Sequence, residues 1–194
     1  MSYYEQIDIV NKINPNTILE IWVSNKTVYN YLKNQEFDID SCDFNESVEP
    51  DYVSDIRELS FDDSSYDVVL CSQVLEHLPW EDVNKALQEL YRVSKRKVII
   101  SVPYSSLQIN FGFTMSMAKK ILNKHLITFL FRLPAYFIPI NVDICSEHFW
   151  EMGNKRKYSK KEFIKKIKEI GFNIEEEKNV KFNPQHHFFI LNKN

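Results

Sequence analysis

Asp67 to Pro79, reading DVVLCSQVLEHLP, gathers the residues of this chain whose types and spacing could do chemistry. The apolar run Tyr66-Asp67-Val68-Val69-Leu70-Cys71 reads as a buried strand of a parallel sheet. Ser72, Gln73, Glu76 and His77 follow it within a few residues. Polar groups just past a strand's carboxyl end lie where open α/β sheets bind their ligands. His77 could accept a proton there, because an imidazole titrates near neutrality. Glu76 is the carboxylate beside it, although adjacent positions on a helix do not face each other. A histidine that only ties down a loop would leave the same pattern, so these residues locate a crevice without fixing a reaction.

The C-terminal third adds His148 in SEHFWEMG, flanked by Glu147 and Glu151, and His186-His187 in NPQHHFF. Histidines and glutamates together raise the question of a metal, but none has the compact spacing of a zinc motif, and no metal is expected. Polar lining for a substrate pocket is the expected use. His148 and His187 join His77 as the catalytic candidates.

Stepping outward, the elements that must position these groups follow from turn and periodicity signals. Thr17 to Trp22 is strand one, introduced by Asn14-Pro15-Asn16. Ser24 to Lys33 is a helix with Val28, Tyr31 and Leu32 on one stripe. Phe37 to Cys42 is strand two, ending at Asp43, and Pro50 to Val53 a short strand three. About ten residues separate these strands, near the lower limit for a crossover, so any helix between them is very short or absent. Strand four ends in the crevice residues. Pro79 opens a helix to about Ser94, with Arg92 and Lys95 to Lys97 placed at its end, and Lys97 to Pro103 is strand five. Ser159-Lys160-Lys161-Glu162 is a capping box for a basic amphipathic helix that Gly171 closes. Ile174 to Phe182 and His187 to Leu191 pair antiparallel as the last strands.

The chain has 194 residues, a net charge of −3, 44% hydrophobic and 26% charged residues. That suits a single domain over 1–194 and supplies no strong field for nucleic acid or acidic membranes. Three cysteines, Cys42, Cys71 and Cys145, are an odd number without metal-ligand spacing and read as free thiols of a cytoplasmic protein. Met1 to Lys12 is polar and acidic, unlike a signal peptide. With only Gly112, Gly153 and Gly171, the chain has no glycine-rich phosphate cradle, which removes dinucleotide and P-loop readings.

Residues 104–146 depart from the strand-helix pattern. They are aromatic-rich and include Leu126 to Phe131, an apolar run too short to span a bilayer. A lid or substrate-binding insertion over the crevice is the favoured expectation, with a homodimer surface or peripheral membrane contact through 121–140 left open.

Thr17 to Pro103 resembles a class I S-adenosylmethionine-dependent methyltransferase, and DIRELSFDDSSYDVVLCSQVLEHLP is similar to the small-molecule branch often called type 11. The resemblance implies an α/β fold: a Rossmann-like seven-stranded sheet with helices on both faces and the last strand antiparallel. It implies S-adenosylmethionine as cofactor. Glu20 stands at the acidic position ending strand one. Asp43, with Phe44 beside it, falls on the position that binds the ribose hydroxyls, which a carboxylate accepts through charge-assisted bonds. Asp55-Ile56 falls near the adenine, and Ser72, Gln73 and His77 on the methionine side. Where the family has E-x-G-x-G, this chain has Glu20-Ile21-Trp22-Val23-Ser24, so Trp22 and Ser24 replace both glycines. Those glycines normally allow positive φ and close backbone approach. The endings EHFWE and NPQHHFF resemble those of methyltransferases encoded among surface-sugar biosynthesis genes. They imply a small-molecule acceptor, a sugar or phosphorylated metabolite. No Asn/Asp-Pro-Pro-aromatic motif follows strand four, which argues against a nucleic-acid acceptor. The alternative, on the strength of the lost glycines, is a catalytically impaired methyltransferase-like binding or regulatory subunit.

Overall fold

The computed structural model describes residues 2–114, 126–138, 145–180 and 185–193. Its main sheet is built from β1 (Thr17–Ile21), β2 (Asp38–Asp43), β3 (Tyr52–Val53), β4 (Tyr66–Ser72), β5 (Ser94–Pro103), β8 (Asn173–Asn179) and β9 (His186–Asn192). These seven strands lie in the order β3-β2-β1-β4-β5-β9-β8. The first five run parallel, and β9 is antiparallel to both β5 and β8.

Alternation along the central strands sends successive apolar side chains to opposite faces. Ile18, Val68, Leu70 and Ile99 pack with Ile9 and Val10 of α1 (Ser2–Ile13) and Val28 and Leu32 of α2 (Thr27–Asn34). Leu19, Val69, Cys71 and Ile100 pack with Val83, Leu87 and Leu90 of α3 (Val83–Val93) and Phe163 and Ile167 of α4 (Lys160–Ile170). Helices therefore cover both faces, as the resemblance implied. The strand order reverses between β1 and β4, and the crevice opens at their carboxyl ends.

Several boundaries moved. α1 was not anticipated; its Gln6, Ile9 and Val10 are buried together, a helical spacing diluted by exposed Tyr4 and Lys12. α2 begins at Thr27, after the turn it was expected to include. Between β2 and β3 only a single 3-10 turn forms, Glu46–Val48, in accord with the short connection. Lys95, Arg96 and Lys97 belong to β5 and not to the end of α3, because Ser94 already pairs with Tyr66 and has extended backbone at φ −76°, ψ 144°. The ladder overrides a sequence that reads as a basic helix terminus. At α4 the Ser159 hydroxyl accepts from the Glu162 backbone N–H at 3.4 Å, and Gly171 closes the helix at φ 110°.

Within 104–146, β6 (Ser106–Thr114) pairs antiparallel with β7 (Leu126–Pro134) in a separate two-stranded sheet. Residues 115–125 and 139–144, and with them part of the 121–140 stretch considered for membrane contact, lie outside the described residues. Residues 181–184, the end of the expected strand Ile174 to Phe182 and the start of the turn expected around Asn183-Pro184-Gln185, do so as well. No helix of the described residues is long and apolar enough to cross a membrane.

The chain then returns through 145–152 and is fastened against the sheet. Met152 N–H donates to the Pro103 carbonyl at 3.0 Å, Ser105 N–H to the Met152 carbonyl at 2.8 Å, and Phe149 N–H to the Glu76 carbonyl at 2.8 Å. Trp150 is fully buried against Trp80 and Phe163, and its indole N–H donates to the Leu75 carbonyl at 3.1 Å. Trp150→Ala is therefore expected to cost about 3–5 kcal/mol, the range for truncating a buried tryptophan. Urea unfolding measures it; a loss below about 1 kcal/mol would show that the segment is not anchored there.

Candidate active site

β1 delivers the chain into a loop whose backbone takes left-handed values at Trp22 (φ 65°), Ser24 (φ 41°) and Lys26 (φ 56°). Each such residue costs about 1–2 kcal/mol relative to glycine. Hydrogen bonds hold the path: Trp22 N–H donates to the Cys42 carbonyl at 2.7 Å, and Val23 N–H to Asp43 Oδ2 at 3.1 Å. The other oxygen of Asp43, Oδ1, accepts from Asn45 N–H at 2.9 Å. Asp43, at the end of β2, is buried and fastens the loop as well as facing the crevice. Both residues that stand for glycines thus keep a glycine-like backbone while carrying side chains.

The Trp22 indole uses the space that glycine would leave. It stacks on the His77 imidazole at 4.8 Å between ring centres and meets Phe44 edge-on at 5.1 Å. The crevice is divided into two cavities to which Ile21, Trp22 and His77 are common. The first, about 220 Å³, is lined by Asp43, Phe44, Asp55 and Ile56. The second, about 320 Å³, is lined by Glu20, Ser24, Ser72 and Gln73 together with Ser2 and Gln6 of α1. A third, about 510 Å³, shares Gln73 and His186 with the second and adds Ser105, Ser106, Gln108, His148 and Glu151.

The electrostatics of these walls are uneven. Glu20 is buried, its Oε2 has no hydrogen-bond partner, and burial pushes its pKa up to about 8. The Ser72 hydroxyl is also buried without a partner. Glu76, in the 3-10 turn Leu75–His77 that follows β4, is fully buried; neither of its oxygens has a partner, and burial pushes its pKa up to about 8. His77 Nδ1 lies 3.1 Å from the Glu147 carbonyl, and burial, followed by His148, lowers its pKa. His148 Nδ1 lies 2.9 Å from Glu151 Oε1, and its ring meets that of His77 edge-on at 4.9 Å. Asp55 is gripped by the Arg57 guanidinium, which holds it below the usual carboxylate range and reaches Asp82 at 2.8 Å.

Of the residues singled out from sequence, all but Glu76 and His187 line one of these cavities. His187 is only 2% exposed; it lies behind Tyr104, with Nδ1 2.7 Å from Asn179 Oδ1 and Nε2 3.2 Å from Glu177 Oε2. The strand alternation of β9 turns His186 to the crevice and His187 into the sheet's flank, so the neighbour was the one to choose. Gln6 was not assigned to the site, whereas Glu151 was expected as polar lining of a substrate pocket. The EHFWE motif held the signal for Glu151; nothing in the sequence pointed to Gln6 beyond the helical spacing of α1.

The parallel sheet with a reversed strand order, with Glu20 near the end of β1 and Asp43 ending β2, is the arrangement the resemblance to class I methyltransferases implied. Residues 26–102 match the family described as a methyltransferase domain. In fold, and in the sequence of this segment, the chain is similar to class I S-adenosylmethionine-dependent methyltransferases. No curated protein matches the chain. Among solved structures it is similar to a protein of Pyrococcus horikoshii OT3, at 16% identity and TM-score 0.58, covering 99% of this chain and 91% of that one. It is similar to the 1,6-didemethyltoxoflavin-N1-methyltransferase of Burkholderia thailandensis, solved with 1,6-didemethyltoxoflavin and S-adenosylhomocysteine, at 12% identity and TM-score 0.62, covering 99% and 78%. The magnesium protoporphyrin IX methyltransferase of Synechocystis PCC 6803, solved with S-adenosylhomocysteine, matches at 13% identity and TM-score 0.62, covering 100% and 82%. At these identities the likeness is one of fold.

The donor set suits the cofactor of this fold class, S-adenosylmethionine. Glu20 and Ser72 leave buried polar atoms unpartnered in the second cavity, where a cationic amino acid group would satisfy them. Glu20 also yields a measurable consequence. Its folded pKa, about 8, lies above the ordinary 4.5, so between those values the unfolded chain releases a proton that the folded chain keeps. Stability contributed by the protonated carboxyl is full below the lower value and is lost as pH rises through the higher one. Glu20→Gln should therefore stabilise the ligand-free protein more at pH 8 than at pH 5, by roughly 1.4 kcal/mol per unit of the shift at most. Urea midpoints at the two pH values test this; an equal effect at both would mean the carboxyl is ionised throughout.

Proposed function

We propose that the chain transfers a methyl group to a small, neutral, hydroxyl-bearing acceptor such as a sugar, held in the third cavity. The observation carrying this reading is the lining of that cavity: Ser105, Ser106, Gln108, His148 and Glu151 offer hydrogen bonds, and among the described residues no lysine or arginine lines it. A hydroxylated acceptor fits that wall better than a phosphorylated one, which would call for Arg or Lys. The third cavity meets the second at Gln73 and His186, so acceptor and cofactor subsites adjoin.

When bound, S-adenosylmethionine supplies the electrophilic methyl group. The chain's residues do the rest by position. Asp43 offers carboxylate oxygens toward the ribose cavity, and Ile56 and Phe44 give it apolar walls. Gln73, fixed to Ser101 through backbone and side chain at 2.9 Å and 3.1 Å, stands between the second and third cavities. The His77–His148 pair handles the acceptor's proton. The β6–β7 hairpin leaves the sheet beside the third cavity through Ser105 and Ser106, which supports a role for 104–146 as its lid. Free cysteines, two of them buried, favour a cytoplasmic location.

The alternative is a catalytically impaired relative used for binding or regulation, and the Trp22–His77 stack across the crevice is what favours it. Calorimetric titration with S-adenosylhomocysteine separates the two; absence of binding at millimolar concentration would end the enzyme reading. Asp43→Asn is expected to weaken that binding by about 1.5–3 kcal/mol, the scale of a hydrogen bond to a charged group. An unchanged dissociation constant would remove Asp43 from the subsite.

Replacing Trp22 and Ser24 together by glycine should join the first two cavities and tighten binding by about tenfold, or 1.4 kcal/mol. Weaker binding would instead show that the indole supplies contacts. With labelled S-adenosylmethionine and hydroxylated acceptors, His77→Ala should lower turnover about 10²–10⁴-fold. An undiminished rate would make His77 a purely structural residue.

A further inference from the structure

We propose that Glu76, His77 and His148 form a binding site for a divalent transition-metal cation of the zinc type, placed between the cofactor and acceptor cavities. One potential ligand atom from each of the three lies within 4.8 Å of the other two. They come from segments far apart in sequence. Glu76 and His77 occupy the turn after β4, and His148 sits on the returning segment that Trp150 anchors against Leu75.

Three further features distinguish this trio from a chance meeting of polar side chains. His77 Nδ1 is taken by the Glu147 carbonyl, which can only accept, so the proton of a neutral ring resides on Nδ1 and Nε2 keeps its lone pair. Glu151 does the same for His148. A backbone carbonyl or carboxylate on the far ring nitrogen is the support that metal-binding histidines ordinarily have. Glu76 supplies the second, independent observation. It is 0% exposed, and neither oxygen has a hydrogen-bond partner. Folded proteins rarely leave a buried carboxyl so exposed to its own desolvation, and a bound cation removes the discrepancy.

Two imidazoles and one carboxylate suit zinc, iron or cobalt better than magnesium or calcium, which prefer all-oxygen shells. Three protein ligands leave at least one position for an oxygen from outside. His148 lines the acceptor cavity and His77 borders both cofactor cavities, so that oxygen would be an acceptor hydroxyl. A hydroxyl bound to the cation gives up its proton to solvent more readily than a free one, so with the cation in place His77 and His148 act on the acceptor's proton as its ligands and not as free bases. This function of the cation rests on the methyl-transfer reading; the site itself does not.

Untagged protein, stripped with EDTA, should bind one equivalent of Zn²⁺ in a calorimetric titration, and Zn²⁺ should raise its unfolding temperature. Glu76→Gln and His148→Ala should each weaken binding at least tenfold, while His186→Ala, on the neighbouring wall, should leave it unchanged. His148 is the less buried of the two ligands, so His148→Ala decides the matter if Glu76→Gln does not fold. Absence of saturable binding, or wild-type affinity in His148→Ala, overturns the proposal. S-adenosylhomocysteine titrated into the same stripped protein keeps the readings apart. Cofactor binding without zinc binding overturns the cation site alone. Zinc binding without cofactor binding supports the site and removes the methyl-transfer reading.

Discussion

The crevice depends on a carboxylate whose hydrogen bonds are largely committed to backbone. Asp43 accepts from Val23 N–H through one oxygen and from Asn45 N–H through the other. Together with the Trp22 bond to the Cys42 carbonyl, this ties the loop after β1 to the end of β2. The loop needs the support, because Trp22, Ser24 and Lys26 all hold left-handed backbone that glycine would adopt without strain. Strain of a few kcal/mol persists only where surrounding structure over-determines it, and such places cluster at functional sites. The loop therefore holds this path with side chains at positions where glycine would make it easy.

On the other side of Trp22 the balance is reversed: polar groups are buried with too few partners. Glu20, Ser72 and Glu76 all carry buried oxygens without hydrogen bonds. They lie along one line of elements, the ends of β1 and β4 and the turn after β4, which border the second cavity. A fold of this size has a core large enough to tolerate such losses, yet they concentrate beside the crevice. Groups that attract cations when ionised, placed next to a cavity of sufficient volume, are what a cationic cofactor and a metal ion each require.

The parts of the fold legible in sequence were those fixed by local pattern. Tyr66 to Cys71 and Val98 to Val102 read as strands because continuous apolar runs suit a sheet covered on both faces, and Ser159 with Gly171 marked α4 because capping chemistry is local. Lys95 to Lys97 were misplaced because a basic helix end and a strand start share that composition, and only pairing with β4 and β9 decides between them. At the site, the carboxylates after β1 and β2 were legible through resemblance. The approach of His148 to His77 was not, because it depends on where Trp150 buries its indole, a tertiary event with no local signature. Nothing local in NPQHHFF tells His187 from His186; strand alternation separates them, and its phase is set by the pairing of Val102 with His187 and Pro103 with His186.

Trp22 bears on whether the crevice is a working site or a relic. Had cofactor binding been abandoned, nothing would maintain a loop that runs through strained backbone, since substitutions relaxing it would stabilise the fold. Nor would anything keep Glu20 and Glu76 buried, where an apolar residue of similar volume would do better. Instead the strained loop, the committed Asp43 and the unpartnered Glu20 all border these two cavities, and the unpartnered Glu76 sits directly beside His77, which lines both. The indole stacks on His77 at an interplanar angle of 27° and meets Phe44 edge-on, while its inner side packs against the hydrophobic core. Trp22 is thus better understood as a component of the crevice that shapes its two halves than as a plug left by decay.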